Sequence, residues 1–407
     1  MTALDAMNIG AKTGADLDIP TEQELVDRAI AMVPTLRRTM RDHDSLGRIS
    51  DEVIASLCDA GFFRILQPRA FGGYEMHPKS FLRVLHQVAR GAPAAGWVLM
   101  VVGVHNWEVA LLGARVAGEL WGENPDIRVS SSYVPFGEAK QVEGGYELSG
   151  RWKFSSGCDH CDWAFLGGWV DLPGGEREYR VFLVSRQDYA IDDASWNTFG
   201  LQGTGSKDLL LENAFVPGYR THAMSESLNC GNVGLKDFSA PAYRYPFGTL
   251  FSFGVVSAII GMAMGARDVY LEGVKGKRAS FTGAELAHDG FVVQALAAAD
   301  ADIQSCLALL DRMMGEIDAD IAAGIVTPVE RRAQYMAWCA EMSGTAIDAV
   351  VRLFRRSGAR AIALNGDLQQ YVRDILAGGN HITMDAAHMG ANAGAVTLGA
   401  PNQVAIL

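Results

Sequence analysis

Basic residues are in short supply in this chain, and the shortage excludes a class of partner. Among 407 residues there are 35 Lys and Arg against 47 Asp and Glu, a formal net charge of -12. A phosphate backbone calls for a basic face, so nucleic acid is not an expected partner. No polybasic stretch is present that would hold an anionic bilayer, so no membrane association is expected either. Cysteine is sparse too: six residues at irregular spacing do not make a disulfide framework. The segment from Met1 to Pro20 carries Asp5, Asp16 and Asp18 and has no apolar core, so it does not resemble a secretory leader. A reducing cytoplasm is the expected setting. Also missing is any Gly-x-Gly-x-x-Gly that follows a strand and opens a helix, so no nicotinamide-dinucleotide domain is expected.

What is present is the balance of a soluble globular protein, 49% hydrophobic and 20% charged, on a chain long enough for two or three packed regions. One stretch departs from it. Between Arg244 and Arg267 there is no charge, and Phe247 to Ala266 is almost wholly apolar. It is long enough to cross a bilayer, but Gly248, Gly254, Gly261 and Gly265 and the lack of a flanking basic cluster favour a helix buried on all sides. Such a helix implies that the C-terminal half packs against more protein, another subunit included.

The texture runs helical, β, helical. Thr21 caps a periodic run of Leu25, Ala29, Met32, Val33 and Leu36, and Ser50 with Asp51 and Glu52 opens a second helix. A longer helical stretch from Pro78 to about Leu112 is interrupted near Gly91–Pro93. Five short β-rich runs follow: Val129–Val134, Tyr146–Ser149, Trp163–Val170, Tyr179–Val184 and Leu209–Val216. They predict a central antiparallel β domain. Helical texture returns after Pro241 and dominates to about Ala387. The expected class is therefore α+β, with an N-terminal helical domain over 1–125, the β domain over 126–222 and a helical bundle over 223–407.

Several residue groups invite chemistry. Cys158-Asp-His-Cys161 lacks the second pair that a zinc site needs, so neither metal nor disulfide chemistry is expected of it. Gly203 to Asp208 lacks the spacing of a phosphate loop. His105, after an apolar helical run, reads on its own as a packing histidine, and Ser155-Ser156-Gly157 as an ordinary turn.

The phrases GGYELSGRWKFSSG, NAFVPGYR, KRASFTG and LNGDLQQYVRDILAG, in that order, resemble the acyl-CoA dehydrogenase superfamily over nearly the whole chain. The resemblance implies that fold, with a C-terminal four-helix bundle and a homotetramer. In much of that superfamily a Glu on the loop after the Arg-Asp phrase is the base. Here the loop reads RDILAGGNHITMDAAHMG, without Glu, and His381 stands about where it would fall. A narrower resemblance lies in GWVLMVVGVHNW, WGENPDIRVSSSYVP, SSGCDHCDWAFLGG and GLQGTGS. These are similar to the group D oxygenase components of two-component aromatic hydroxylases, such as p-hydroxyphenylacetate hydroxylase and the secosteroid phenol hydroxylase. That family takes reduced flavin, FMN or else FADH2, from a separate NAD(P)H:flavin reductase and hydroxylates a phenol with O2 through a C4a-hydroperoxyflavin.

The family's roles fall on particular residues of this chain. His105 and Ser131 match its phenol contacts, with Ser130 and Ser132 as alternatives in the serine triplet. Ser156 matches the hydroxyl at flavin N5, with Ser155 one residue away. His381 would exchange or hydrogen-bond a proton near neutrality, and His388 is the fallback. Trp97 and Phe154 are candidate walls for substrate and flavin. Arg278, then Arg244, are candidates for the flavin phosphate. An acyl-CoA dehydrogenase holding FAD, and an N-, S- or indole oxygenase on the same scaffold, are the alternatives.

Overall fold

The computed structural model describes residues 18–278 and 282–405. The acidic N-terminal segment up to Leu17, and Ala279 to Phe281 of the KRASFTG phrase, lie outside the described residues.

Local signals set the helix starts. Thr21 closes a capping box with Glu24 at the start of α1 (Glu22–Leu46), and Ser50 accepts the Val53 N–H to open α2 (Asp51–Asp59). Two helices follow, α3 (Pro78–Gly91) and α4 (Pro93–Leu111), separated by Ala92, which is extended at φ -147°. Pro93 lacks an N–H to continue α3 and is well placed at the first position of α4. A short α5 (Ala114–Trp121) leads to the sheet.

Seven strands form one sheet: β1 (Val129–Val142), β2 (Gly145–Ser155), β3 (Trp163–Asp171), β4 (Arg177–Ser185), β5 (Ala190–Asp192), β6 (Lys207–Pro217) and β7 (Thr221–Ala223). The order is β5-β6-β2-β1-β3-β4-β7. Five of the neighbouring pairs are antiparallel, as expected, but β1 and β3 run parallel. The tight turn at Val142–Gly145 places β2 on one side of β1, so β3 must take the other edge. The GGYELSGRWKFSSG phrase supplies one strand, β2. In the β1–β3 ladder the register shifts between Ser132 and Gly137, an irregularity of the kind that re-aims a side chain, and Tyr133 begins it.

The remaining helices are α6 (Met224–Leu228), α7 (Phe247–Val274), α8 (Gly290–Ala322), α9 (Val329–Arg355), α10 (Asp367–Gly378) and α11 (Ala386–Thr397). Helix therefore continues about ten residues beyond the expected end. The apolar run is α7, and it packs against α3, α4, α8, α9 and α10 of its own chain. That burial agrees with a helix buried on all sides, and the cover over the run itself comes from its own chain. Each fully buried Phe, Ile, Val or Met on it contributes roughly 1.5–3 kcal/mol. Among the described residues α4, α7 and α8 are long and apolar enough to cross a membrane. In α4 and α7 nearly all of that apolar surface is inside the fold, whereas most of α8 is not.

Candidate active site

Helix α4 is apolar on every side, and of its 19 residues all but Val101 are buried. Val101 stands four residues after Trp97 and four before His105, on one face of the helix. On α7, Phe251 is likewise the one half-open position between Phe247 and Ala263, and its ring lies 5.6 Å from that of His105. Tyr133, also half-open, meets Phe251 edge-on at 5.4 Å. Phe251 of α7 and Tyr133 of β1 thus pack against His105, and Val101 lies one turn before it on α4, all three partly open. Trp97 and His105 are about 12 Å apart along the helix.

At the Trp97 end the indole N–H donates to the Ser156 hydroxyl at 3.3 Å. Ser156 shares a hydrogen bond of 2.7 Å with Ser206, which shares one of 2.6 Å with Thr204. Thr204 donates to the Leu201 carbonyl. Leu201 is in the left-handed region at φ 53°, and its N–H is held by Asp374 at 2.7 Å. Asp374 is fully buried, and burial, with nearby Asp44, pushes its carboxyl up to about 7. The turn after Ser156 uses Gly157 at φ 71°, where a Cβ would come within 2.8 Å of Val98 on α4. His381 meets Trp97 edge-on at 5.9 Å, and its Nδ1 pairs with the Thr383 hydroxyl at 2.9 Å. Desolvation pushes its imidazolium down to about 4, so the ring is neutral at physiological pH.

At the other end, His105 is wholly buried and its Nδ1 lies 3.2 Å from Glu108 Oε2. Glu108, also wholly buried, takes a hydrogen bond from the Tyr133 hydroxyl and lies 3.0 Å from His222 Nε2. Burial alone would raise the Glu108 carboxyl, but its bonds to His105 and His222 hold it below the usual range. Tyr133 is driven well above the usual phenol value by burial and by the facing carboxylate. The Nε2 of His105 is buried without a partner.

The serine triplet separates by strand alternation. Ser132 donates to the Lys153 carbonyl and Ser130 accepts from Ser155 at 3.1 Å, so both turn toward β2. Ser131 shares the face of Tyr133, which looks toward His105. Ser155 is thereby committed to Ser130, and its neighbour Ser156 faces Trp97. Phe154 is 61% exposed at φ 67°, with Trp196 edge-on at 6.1 Å. Left-handed backbone at a bulky residue costs on the order of 1–3 kcal/mol and suits a side chain held for a ligand. A bare aromatic surface at Phe154 beside the buried Ser156 hydroxyl fits a planar ring system with a polar edge, so the residues present suit a flavin.

Other candidates are placed elsewhere. Arg278 hydrogen-bonds the Gly283 carbonyl and pairs with Glu285 in its own loop, and Arg244 is exposed without a side-chain partner among the described residues. Neither is joined to Ser156 within one chain. His388 is exposed on α11, its N–H held by Asp385, and stands apart from Trp97. In the CDHC turn each thiol meets a backbone carbonyl and His160 pairs with the Ile49 carbonyl, so the group braces a turn. The Gly203–Asp208 phrase carries Thr204 and Ser206 behind Ser156. Sequence reasoning passed over Val101, Glu108, Tyr133, His222, Ser206 and Phe251. Only Glu108 left a plain signal, as the one charge between Arg90 and Arg115.

Comparison with known proteins shows the family and the fold. Residues 253–386 match the family model of the acyl-CoA dehydrogenase C-terminal domain. The chain is 38% identical over 362 residues to HsaA, the oxygenase subunit of a flavin-dependent monooxygenase from Rhodococcus jostii (strain RHA1), covering 88% of this chain and 94% of that one. It is 26% identical over 362 residues to the oxygenase component of p-hydroxyphenylacetate 3-hydroxylase from Acinetobacter baumannii, covering 89% and 86%. The crystal structure of 3-HSA hydroxylase from Rhodococcus sp. RHA1 superposes with a TM-score of 0.89 at 36% identity, over 94% of this chain and 99% of that one. The chain belongs to the oxygenase subunits of flavin-dependent monooxygenases, on the acyl-CoA dehydrogenase fold.

Proposed function

We propose that this protein hydroxylates a phenol, as the oxygenase component of a two-component system fed with reduced FMN, or else FADH2, by a separate NAD(P)H:flavin reductase. The observation that carries the reading is the alignment of Trp97, Val101 and His105 on one face of α4, with the unpartnered Nε2 of His105 at one end and the Ser156 hydroxyl at the other. Bound reduced flavin would supply the electrons by which one atom of O2 enters the ring and the other leaves as water. Everything else is the work of the chain's own residues. His105 receives the phenol O–H, Ser131 gives the second contact, and Val101, Phe251 and Tyr133 wall the ring. Ser156, backed by Ser206 and Thr204, faces the flavin edge, Phe154 lies against its plane, and neutral His381 holds a proton donor or acceptor beside Trp97. Closure by apolar walls keeps water from the reacting atoms.

The partner readings rest on other features. The exposed apolar length of α8, with Phe291 69% exposed at its start, supports assembly as a homotetramer, where Arg278 and Arg244 would reach a flavin phosphate of a neighbouring subunit. Six free thiols suit the cytoplasm. A three-domain division at 1–125, 126–222 and 223–407 follows the change from helix to sheet and back.

The test is a single-turnover reaction of the protein with anaerobically reduced FMN, 18O-labelled O2 and a panel of simple phenols. The expected product is a catechol carrying one labelled oxygen. Quantitative conversion of the flavin's electrons to peroxide, with every phenol recovered unchanged, would refute the proposal.

A further inference from the structure

Behind His105 lies a buried chain of polar groups, most of which the reaction outlined above does not call upon. It runs from Asn232 through Ser227, His222 and Glu108 to His105, with Tyr133 joining at Glu108. Asn232, Ser227, His222, Glu108 and His105 are all at most 3% exposed. Such a network is costly if any member is unsatisfied, and each hydrogen in it has a determinable place.

Start from the carboxylate, which can only accept when ionised. Each group facing it must therefore supply a hydrogen. His222 Nε2, at 3.0 Å from Oε1, is protonated, which leaves His222 Nδ1 as the acceptor of the Ser227 hydroxyl at 2.8 Å. Ser227 oxygen in turn accepts from the Asn232 amide at 3.0 Å. On the other oxygen, the Tyr133 hydroxyl and His105 Nδ1 both donate to Oε2. His105 thus spends its one neutral-ring hydrogen on Glu108. Its Nε2 carries a lone pair, is buried, and has no partner among the described residues. The rings of Phe165 and Phe251, with centroids 5.7 and 5.6 Å away, pack against the imidazole.

We infer that Glu108 is the positioning residue of the phenol site, fixing His105 with Nε2 as proton acceptor and stabilising the imidazolium that forms. The inference rests on the assignment of His105 as the phenol contact. In the step it supports, the phenol O–H bond breaks, the proton passes to Nε2, and the electron pair stays on oxygen. Glu108 keeps its charge throughout, and its negative field lowers the cost of the new cation. Phenolate oxygen then enriches the ring carbons beside it for attack on electrophilic oxygen. A second consequence concerns selectivity. The charged or titratable groups around His105 are Glu108 on its own helix, Tyr133 on β1 and His222 on β7, with Tyr179 of β4 behind Tyr133. No Arg or Lys pairs with this group among the described residues, so a phenol whose substituents near the hydroxyl are uncharged is the substrate class it fits.

The experiment uses the full chain loaded with anaerobically reduced FMN and 4-nitrophenol as probe, whose absorbance reports ionisation. In the wild type the bound probe should ionise at a pH lower than free probe by about one unit or more. In Glu108→Gln, which keeps volume and removes the charge, the probe should still bind but titrate close to its value in water. The pH profile of catechol formation should move to higher pH by the same interval, a change that a loss of packing would not produce. Equal lowering by wild type and Glu108→Gln would overturn the inference while leaving His105 as the phenol contact. A wild type that leaves the probe's titration untouched, and does so identically to His105→Ala, would overturn the functional reading itself. Should Glu108→Gln fail to fold, Tyr133→Phe gives the second readout. Removing one donor from Oε2 makes the carboxylate a stronger partner for His105 and should move the bound probe to still lower pH; no movement overturns the inference.

Discussion

The Trp97 indole donates its N–H to Ser156 across 3.3 Å, and this bond joins the central helix α4 to the end of strand β2. It is the point at which a side chain proposed to wall the substrate meets one proposed to face the flavin. The two proposed subsites are therefore not independent. Ser156 is held from one side by Trp97 and from the other by Ser206, so its hydroxyl has little freedom to turn.

Replacing Ser156 by Ala should uncouple the reaction. Peroxide released per reduced flavin consumed is expected to rise severalfold, with phenol affinity changed less than about twofold, since the deleted hydroxyl is the one proposed to face the flavin. Ser206→Ala should show a smaller rise, because it removes only the support behind Ser156. A peroxide assay alongside catechol quantification checks both, and unchanged coupling in Ser156→Ala would exclude it from the flavin edge.

Val101→Phe should fill the space proposed for the phenol. Overpacking a filled core costs roughly 1–3 kcal/mol, but this position is half-open, so the penalty to folding should sit at or below the lower end. Phenol binding should weaken by about tenfold or more, some 1.4 kcal/mol. Thermal melting together with an anaerobic phenol titration separates the two effects. A variant that binds phenol as well as the wild type places the phenol elsewhere.

Asp374 predicts a pH dependence whose sign follows from its raised carboxyl. Folded, the group ionises near 7, while unfolded it ionises near the ordinary 3.8. The native state thus binds the proton more tightly, and stability is lost as pH rises from the lower value through the upper one. Asp374→Asn cannot ionise and still offers an oxygen to the Leu201 N–H. Its melting temperature relative to wild type should therefore climb by a few degrees between about pH 5 and about pH 8. A constant difference across that range would show that Asp374 is ionised in the folded protein throughout.

His381 is shifted the opposite way. Burial lowers its imidazolium from 6.5 to about 4, so the folded protein favours the neutral ring and loses that preference as pH falls through this window. His381→Ala should lower hydroxylation severalfold at neutral pH, and the wild-type rate should hold level down to about pH 5 before declining. A decline centred near the ordinary histidine value would mean that the ring is solvated and not packed on Trp97.

Much of the fold was legible because its signals are local. Thr21 with Glu24, Ser50 with Asp51, and Gly91 with Pro93 each dictate a helix boundary through bonds made within four residues. The parallel β1–β3 pair was not legible, since it depends on which edge the β1–β2 turn leaves free. The same division holds for the site. Trp97, His105, Ser131, Ser156 and His381 were named through resemblance to a family, and the structure sets Trp97 beside Ser156 and His381, and Ser131 on the face toward His105. Glu108 and Tyr133 were passed over because a buried carboxylate and an ordinary strand tyrosine acquire meaning only when His222, 114 residues from Glu108, arrives at the same place.

That dependence on remote partners has a kinetic side. Trp97 finds Ser156 59 residues away, Glu108 finds His222 at 114, and Asp374 finds Leu201 at 173. Contacts of such separation form late, because the loops they close are entropically expensive and no short fragment can make them in advance. On the ribosome, the Trp97–Ser156 end waits until Asp374 has been made. A nascent or truncated chain can therefore own most of its secondary structure and still be inert, and recovered activity after refolding reports completion of the whole topology.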